Sequence, residues 1–373
     1  MALTAGLIVA FVVTIVALAV LWPRGEAPDP GPGFRQSQSM AADAVSGEVV
    51  ATYRSACAPN STGVAFSADD PPRIPPGDQC DTTVVRLDET YATILQTDIS
   101  FQPGDQVLLS VAESGTLSFL DMQRTTSVLL WLALAGVAVV VVGAMRGLRA
   151  ILGLGFTLAV ISVFLVPALL RGGPPIPLAI TAGAAILYPV MFLVHGANWK
   201  SASALAGTLI SVGVSAGLAQ VSIGASQLRG LGDDSNLLIQ LYLPSVSVAG
   251  LMLAGFIIGT LGALNDATVS QASTVAELAE ADSQAGPLKL FTSAMRVGQD
   301  HIASMVYTLV LAYIGAALPM TLLLSVVDRP LLQVLTSDVV ATELLRSAIG
   351  ILGLTLAVPV TTMIAAWTAR SRT

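Results

Sequence analysis

The chain has 373 residues, a formal net charge of −7, 54% hydrophobic residues and only 11% charged ones. A soluble globular domain carries about 25% charged residues, so this chain is not one, and its acidic balance offers no basic surface for nucleic acid. Several nearly uncharged apolar runs of roughly 18 or more residues predict an α-helical integral membrane protein with about eight transmembrane helices.

Residues 5–22 form the first apolar run. No Lys or Arg precedes it, and Trp22-Pro-Arg24 follows in place of a small-residue cleavage site, so residues 1–24 read as a retained anchor helix. Residues 25–45 are a Pro/Gly linker. Over residues 46–126 the pattern changes to short alternating runs: 47–53, 82–87, 92–96, 106–111 and 116–120. Turn signals such as Pro76-Gly-Asp and Pro103-Gly-Asp separate them, which predicts a small β domain, an OB-like or SH3-like barrel inserted between helices 1 and 2. Cys57 and Cys80, the only cysteines, both fall in this insert. An even count on one side of a membrane points to a disulfide and an oxidising, extracytoplasmic face, with two free thiols as the alternative. Asn60-Ser-Thr fits a glycosylation sequon, a pattern common by chance.

Residues 127–373 carry seven further spans, at 127–144, 150–170, 176–194, 203–222, 243–264, 302–324 and 345–367. With a cytoplasmic N-terminus, the β insert lies outside. The inner turns then hold Arg146, Arg149, His195, Lys200, Lys289, Arg296, Arg370 and Arg372, while Arg24, Arg171, Arg229 and Arg329 lie on the other side. That bias toward the inside agrees with the cysteines. The spacings Gly143-x-x-x-Gly147, Gly213-x-x-x-Gly217 and Gly255-x-x-x-Gly259 predict close helix approach. Ile151-Leu-Gly-Leu154 recurs as Ile351-Leu-Gly-Leu354, each before a Thr-Leu-Ala-Val string, as an inverted repeat would have it or as four apolar residues match by accident.

The polar groups concentrate between residues 265 and 300, a segment that is either cytoplasmic or re-entrant. At about 100° per residue, Asp266, Ser270, Ser273 and Glu277 share one helical stripe, and Arg296, Asp300 and Tyr307 share another. Ionisable groups in or beside spans are functional candidates by default. Asp266 and Glu277 are therefore expected to hold a proton or monovalent cation, with Asn265, Ser270, Ser273 and Thr274 as uncharged partners. Arg296 and Asp300 are expected at the entrance, where the plainer reading is an ion pair at i, i+4, or Arg296 neutralising Asp266. His195, Lys200 and His301 are candidates for gating, or else hydrogen-bonded interfacial groups. No nucleotide, dinucleotide or zinc-protease fingerprint is present, and Gly213-Val-Ser-Ala-Gly217 lies inside an apolar span, so neither an enzyme nor a cofactor is expected.

Four stretches, Leu193-Val-His-Gly-Ala-Asn-Trp-Lys200 continuing to Thr208, Gly259-Thr-Leu-Gly-Ala-Leu-Asn-Asp-Ala-Thr-Val-Ser270, Ser273-Thr-Val-Ala-Glu-Leu278 and Ser293-Ala-Met-Arg-Val-Gly-Gln-Asp300, resemble the YibE/F-like family of bacterial membrane proteins. One departure is Asp266-Ala-Thr where the family pattern reads Asp-Val-Ala, which keeps the carboxylate. The resemblance implies a bacterial membrane protein, here expected in the inner membrane with both termini cytoplasmic by the charge bias and the cysteines, and carries Asp266, Glu277, Arg296 and Asp300 over as a polar signature, with no substrate attached. The expectation from the residues is a secondary transporter or exporter driven by a proton or sodium gradient. Its partners would be the bilayer, a small solute or ion, an envelope protein at the β domain and further copies of itself. The alternative is a membrane scaffold or envelope-assembly factor that works through its β domain.

Overall fold

The computed structural model describes residues 2–29, 31, 34, 44–55, 62–69, 80–95, 99–112, 115–232, 234–326 and 329–370. The chain forms two compact units, Asp29–Val139 and Met1–Pro28 with Val140–Thr373.

The smaller unit holds an antiparallel sheet of β1 (Ala44–Ser55), β2 (Ala65–Phe66), β3 (Cys80–Arg86), β4 (Tyr91–Leu95), β5 (Gln106–Val111) and β6 (Leu117–Met122), in the order β2-β4-β3-β1-β5-β6. Each of the five alternating runs in the sequence becomes a strand. The two-residue β2 is too short for a period-two pattern to show. β1 is long enough to serve two partners. It pairs with β5 over Ala44–Glu48 and with β3 over Glu48–Ser55, shifting register between Val49 and Ala51. Strand alternation directs Val49, Val85, Ile94, Val107, Leu109 and Leu117 to one side, where Phe101 joins them in a buried core.

The sheet curls until its ends meet. Gly63 donates its N–H to Thr93 O on β4 (2.7 Å) and accepts from Leu117 N on β6 (2.7 Å). Its φ of +75° is left-handed, and a Cβ there would stand 2.6 Å from Leu117 O. Glycine is required twice over, by conformation and by space. Cys80 opens β3, whereas Cys57 and Asn60 lie outside the described residues, so the expected bridge is left as an expectation.

The larger unit is helical: α1 (Ala2–Leu21), α2 (Thr125–Leu170, whose first turns belong to the other unit), α3 (Pro175–His195), α4 (Trp199–Ser226), α5 (Asp234–Tyr242), α6 (Val248–Ala281), α7 (Pro287–Ala316), α8 (Leu318–Ser325), α9 (Leu331–Leu335) and α10 (Asp338–Arg370). Local chemistry sets several starts. Asn198 caps α4 by accepting from Ser201 N, Ser247 caps α6 by accepting from Gly250 N, and proline begins α3 and α7. Among the described residues six helices are long and apolar enough to cross a membrane, or seven if α7 and α8, bent by 66°, count as one. The expected spans at 127–144 and 150–170 fall on the two sides of a kink in α2 at Ala144, whose φ of +48° and ψ of −132° are not helical. A π-helical turn at Ile161–Leu165 interrupts its far end.

α4, α6 and α10 pack along one another as the centre of this unit, with α3 and α7 beside them. α1 lies on α3, where Tyr188 Oη donates to Leu7 O (2.8 Å) and the Phe11 and Tyr188 rings meet edge to face. Of the glycine spacings read from the sequence, Gly259 is a point of close approach, where a Cβ would stand 3.2 Å from the Tyr313 hydroxyl, and four others are not. A Cβ on Gly143, Gly213, Gly217 or Gly255 would meet nothing within 4 Å. Close approach also occurs at Gly207 against Thr361, Gly353 against Ser215, Gly350 against Leu309 and Gly298 against Gln271 and Val358. A four-residue spacing marks a smooth helix face without saying which way the face points.

Gly63→Ala should destabilise the β unit by about 2 kcal/mol or more, because it adds a clash to a left-handed φ. Gly115→Ala, at φ +78° with open space around it, should lose about 1 kcal/mol. Hydrogen exchange of residues 106–122 in the full chain reads the difference, and equal effects would refute the role given to Gly63.

Candidate functional site

The segment 265–300 comprises the second half of α6, a turn and the first half of α7. α6 runs unbroken for 34 residues, about 51 Å against a hydrocarbon core of about 30 Å, so the helix is longer than a membrane is thick. The chain turns at 282–286, where Lys289 Nζ donates to Asp282 Oδ2 (2.8 Å) and holds that carboxyl below its ordinary range.

Asp266, Ser273 and Glu277 lie on the exposed side of α6, and Asn265, Ser270 and Thr274 are half-buried beside them. Thr274 spends its hydroxyl on Ser270 O (2.9 Å). On one continuous helix, Asp266 and Glu277 are separated by a rise of about 16 Å, so a single cation cannot touch both carboxylates. Among the described residues no group of three or more His, Cys, Asp or Glu side chains could hold a metal ion. Arg296 and Asp300 are exposed on α7, and among the described residues no ion pair joins them to each other or Arg296 to Asp266. The structure brings together two of the candidate residues that the sequence did not pair. Asp266 stands near enough to His195, at the end of α3, for their charges to interact, and Arg146 acts on the same imidazole. Lys200 lies half-buried as the second residue of α4, and His301 on α7 has an enclosed Nε2 with no partner.

The opposite face of α6 holds what the sequence reading passed over. Thr260, Thr268 and Gln271 are buried there, and α4 and α10 carry buried hydroxyls of their own, Ser201, Ser203, Thr208, Ser211 and Ser215 on α4 and Thr361 and Thr362 on α10. The Thr208 and Thr268 hydroxyls lie 2.6 Å apart, and Thr208 also reaches Ala204 O (2.8 Å). Thr362 Oγ1 lies 2.7 Å from Val358 O and 2.9 Å from Gln271 Oε1. With one proton it donates to only one of them. Turning the Gln271 amide end over lets its N–H₂ donate to Thr362 while Thr362 donates to Val358, which satisfies both bonds.

Several polar atoms remain without partners: Ser203 Oγ, Ser215 Oγ, Thr361 Oγ1 and one end of the Gln271 amide. Leaving such a group buried and unpaired costs about 1–3 kcal/mol, so a row of them is expensive in a dry bundle. The signal was available in the sequence: Ser201, Thr208, Ser211 and Ser215 recur at helical spacing inside an apolar run. Uncharged hydroxyls raise no flag in a search for charges.

A family profile described as YibE/F-like protein matches residues 131–371, most of the chain. No curated protein and no solved structure matches it.

Gly207→Ala places a methyl against Thr361, whose Cα is 3.1 Å from the new carbon, so α4 and α10 must part. The expected loss is about 1–3 kcal/mol, read as a lower melting temperature in detergent, while Gly213→Ala should change it by less than about 0.5 kcal/mol. Equal effects would refute the packing assigned here.

Proposed function

Since the chain belongs to the YibE/F-like family, we propose that it is a secondary transporter that moves a small polar solute or ion, with the buried seam between α4, α6 and α10 as its path. The unpaired polar atoms on that seam are the observation that supports this reading. In a folded bundle with no route for water they would be a standing penalty, whereas along a transport path they are the groups a passing solute uses. Any driving energy comes from a gradient, through Asp266 with His195 beside it and through Glu277. Arg296 and Asp300 then stand at the entrance, with Lys200 and His301 near it. In this reading the chain crosses the bacterial inner membrane eight times, α2 counting as two spans about Ala144. Both termini are cytoplasmic, and the curled sheet is an extracytoplasmic barrel with a Cys57–Cys80 bridge.

The second reading, a scaffold acting through its β unit, draws on a specific observation too. Gly207 and Gly353 bring their neighbours so close that the seam is packed tightly where they sit. A sealed seam would be adhesive rather than conduit.

Cysteine labelling separates the two. Ser203→Cys, Ser215→Cys and Thr361→Cys are small changes on the seam, made with Cys57 and Cys80 retained. On the transport reading a membrane-impermeant maleimide modifies at least one of them from one side, and sodium or a pH change alters reactivity at Ser273→Cys, between Asp266 and Glu277. If all three seam positions stay inert under conditions where Ser273→Cys reacts, the path does not exist and the scaffold reading replaces it.

A further inference from the structure

α10 carries an acid–base pair outside the polar segment 265–300. Arg346 Nη1 lies 3.0 Å from Glu343 Oε1 and 3.1 Å from Oε2, with the two side chains only 27% and 24% exposed. Rings from two other helices flank the cation. The guanidinium carbon is 5.2 Å from the ring centre of Phe256 on α6 and 5.6 Å from that of Tyr313 on α7. Stacking of this kind suits arginine, whose planar and weakly hydrated head tolerates partial burial.

The cluster has donors to spare. Arg346 Nε and Tyr313 Oη are both enclosed and lack a hydrogen-bond partner. Glu343 meets the guanidinium at Nη1 and makes no hydrogen bond to either of them. Gly259 leaves space where a methyl would come within 3.2 Å of the Tyr313 hydroxyl. An N–H and an O–H without acceptors, beside a guanidinium, call for oxygen atoms and for negative charge. α7 also ends three residues beyond Tyr313, at Ala316, and bends by 66° into α8. Broken helices are where membrane carriers commonly place solute sites, since the backbone there can move without tearing a continuous ladder.

We propose that Arg346 and Tyr313 form a binding site for a small oxyanion, a carboxylate or a phosphate, which takes the place of Glu343 on the guanidinium. This rests on the carrier reading above and names the class of solute. Glu343 is an internal competitor. It neutralises Arg346 when the site is empty and swings aside when a ligand oxyanion arrives, because one guanidinium does not hold two negative charges in a partly buried place without repulsion between them. Tyr313 supplies the second hydrogen bond, and Phe256 covers the remaining face of the cation.

The competition is what the experiment reads. The full chain is purified in a neutral maltoside detergent, and its thermal unfolding is followed against acetate, inorganic phosphate or chloride at constant ionic strength. Wild type should be stabilised saturably by acetate or phosphate and not by chloride. Glu343→Gln should lower the half-saturating concentration by at least about tenfold, since the competitor is gone. Tyr313→Phe should raise it about fivefold, the loss of one hydrogen bond. Arg346→Lys keeps a charge but loses the planar fork, and should abolish saturation.

If Arg346→Lys fails to fold, the tightening in Glu343→Gln still decides the matter. Identical anion responses in wild type, Glu343→Gln and Tyr313→Phe would overturn the site and leave a structural ion pair. Stabilisation by phosphatidylglycerol but by neither free anion would overturn the solute assignment in favour of a lipid headgroup. Flux in proteoliposomes that persists in Arg346→Lys would remove the site and leave the carrier. Saturable binding without any flux would uphold the site and remove the carrier.

Discussion

The close approach of α10 to α4 constrains everything around it. Between helices surrounded by lipid there is no hydrophobic gain from association, so contact must come from dispersion at short range and from hydrogen bonds. Gly207 and Gly353 allow the backbones that proximity, one on each helix and each facing a hydroxyl residue of the other. α6 completes the trio from the third side through Thr260, Leu264, Thr268 and Gln271, and the buried apolar residues Leu205, Leu354 and Val358 fill what the small residues leave.

The seam that holds the helices together carries hydroxyls as well as small residues. Alanine would pack as closely as serine and carry no unpaired oxygen. Some hydroxyls satisfy themselves on their own helix, as Thr208, Ser211 and Thr362 do against Ala204, Gly207 and Val358. Ser203, Ser215 and Thr361 do not. That division runs through one interface, so its satisfied members can serve stability while the others serve whatever passes or binds.

Legibility from the sequence followed the strength of each pattern. The β strands alternate with period two between turn residues, and the pattern left little choice of where they lie. The polar stripe of α6 was legible as a stripe, because Asp266, Ser270, Ser273 and Glu277 share a face in any continuous helix. Which way it faced was not, since a stripe of acids satisfies the 3.6-residue period whether it lines a cavity or meets solvent. The kink in α2 was legible within a few residues, because Arg146 and Arg149 interrupt the apolar run just after Ala144. Arg346 was overlooked: one charge at the edge of a long apolar run looks like a boundary, and only Phe256 and Tyr313, far away in sequence, make it a site.

α6 is a single rigid rod, and its two faces cannot be set independently. Gln271 follows Ser270 by about 100° of arc, and Asp266 and Glu277 are fixed to the same ladder. A roll of the rod that carries the acids toward a neighbour must carry Thr268 and Gln271 away from α4 and α10 by the same angle. The acids and the seam therefore share one lever, because α6 has no joint between them.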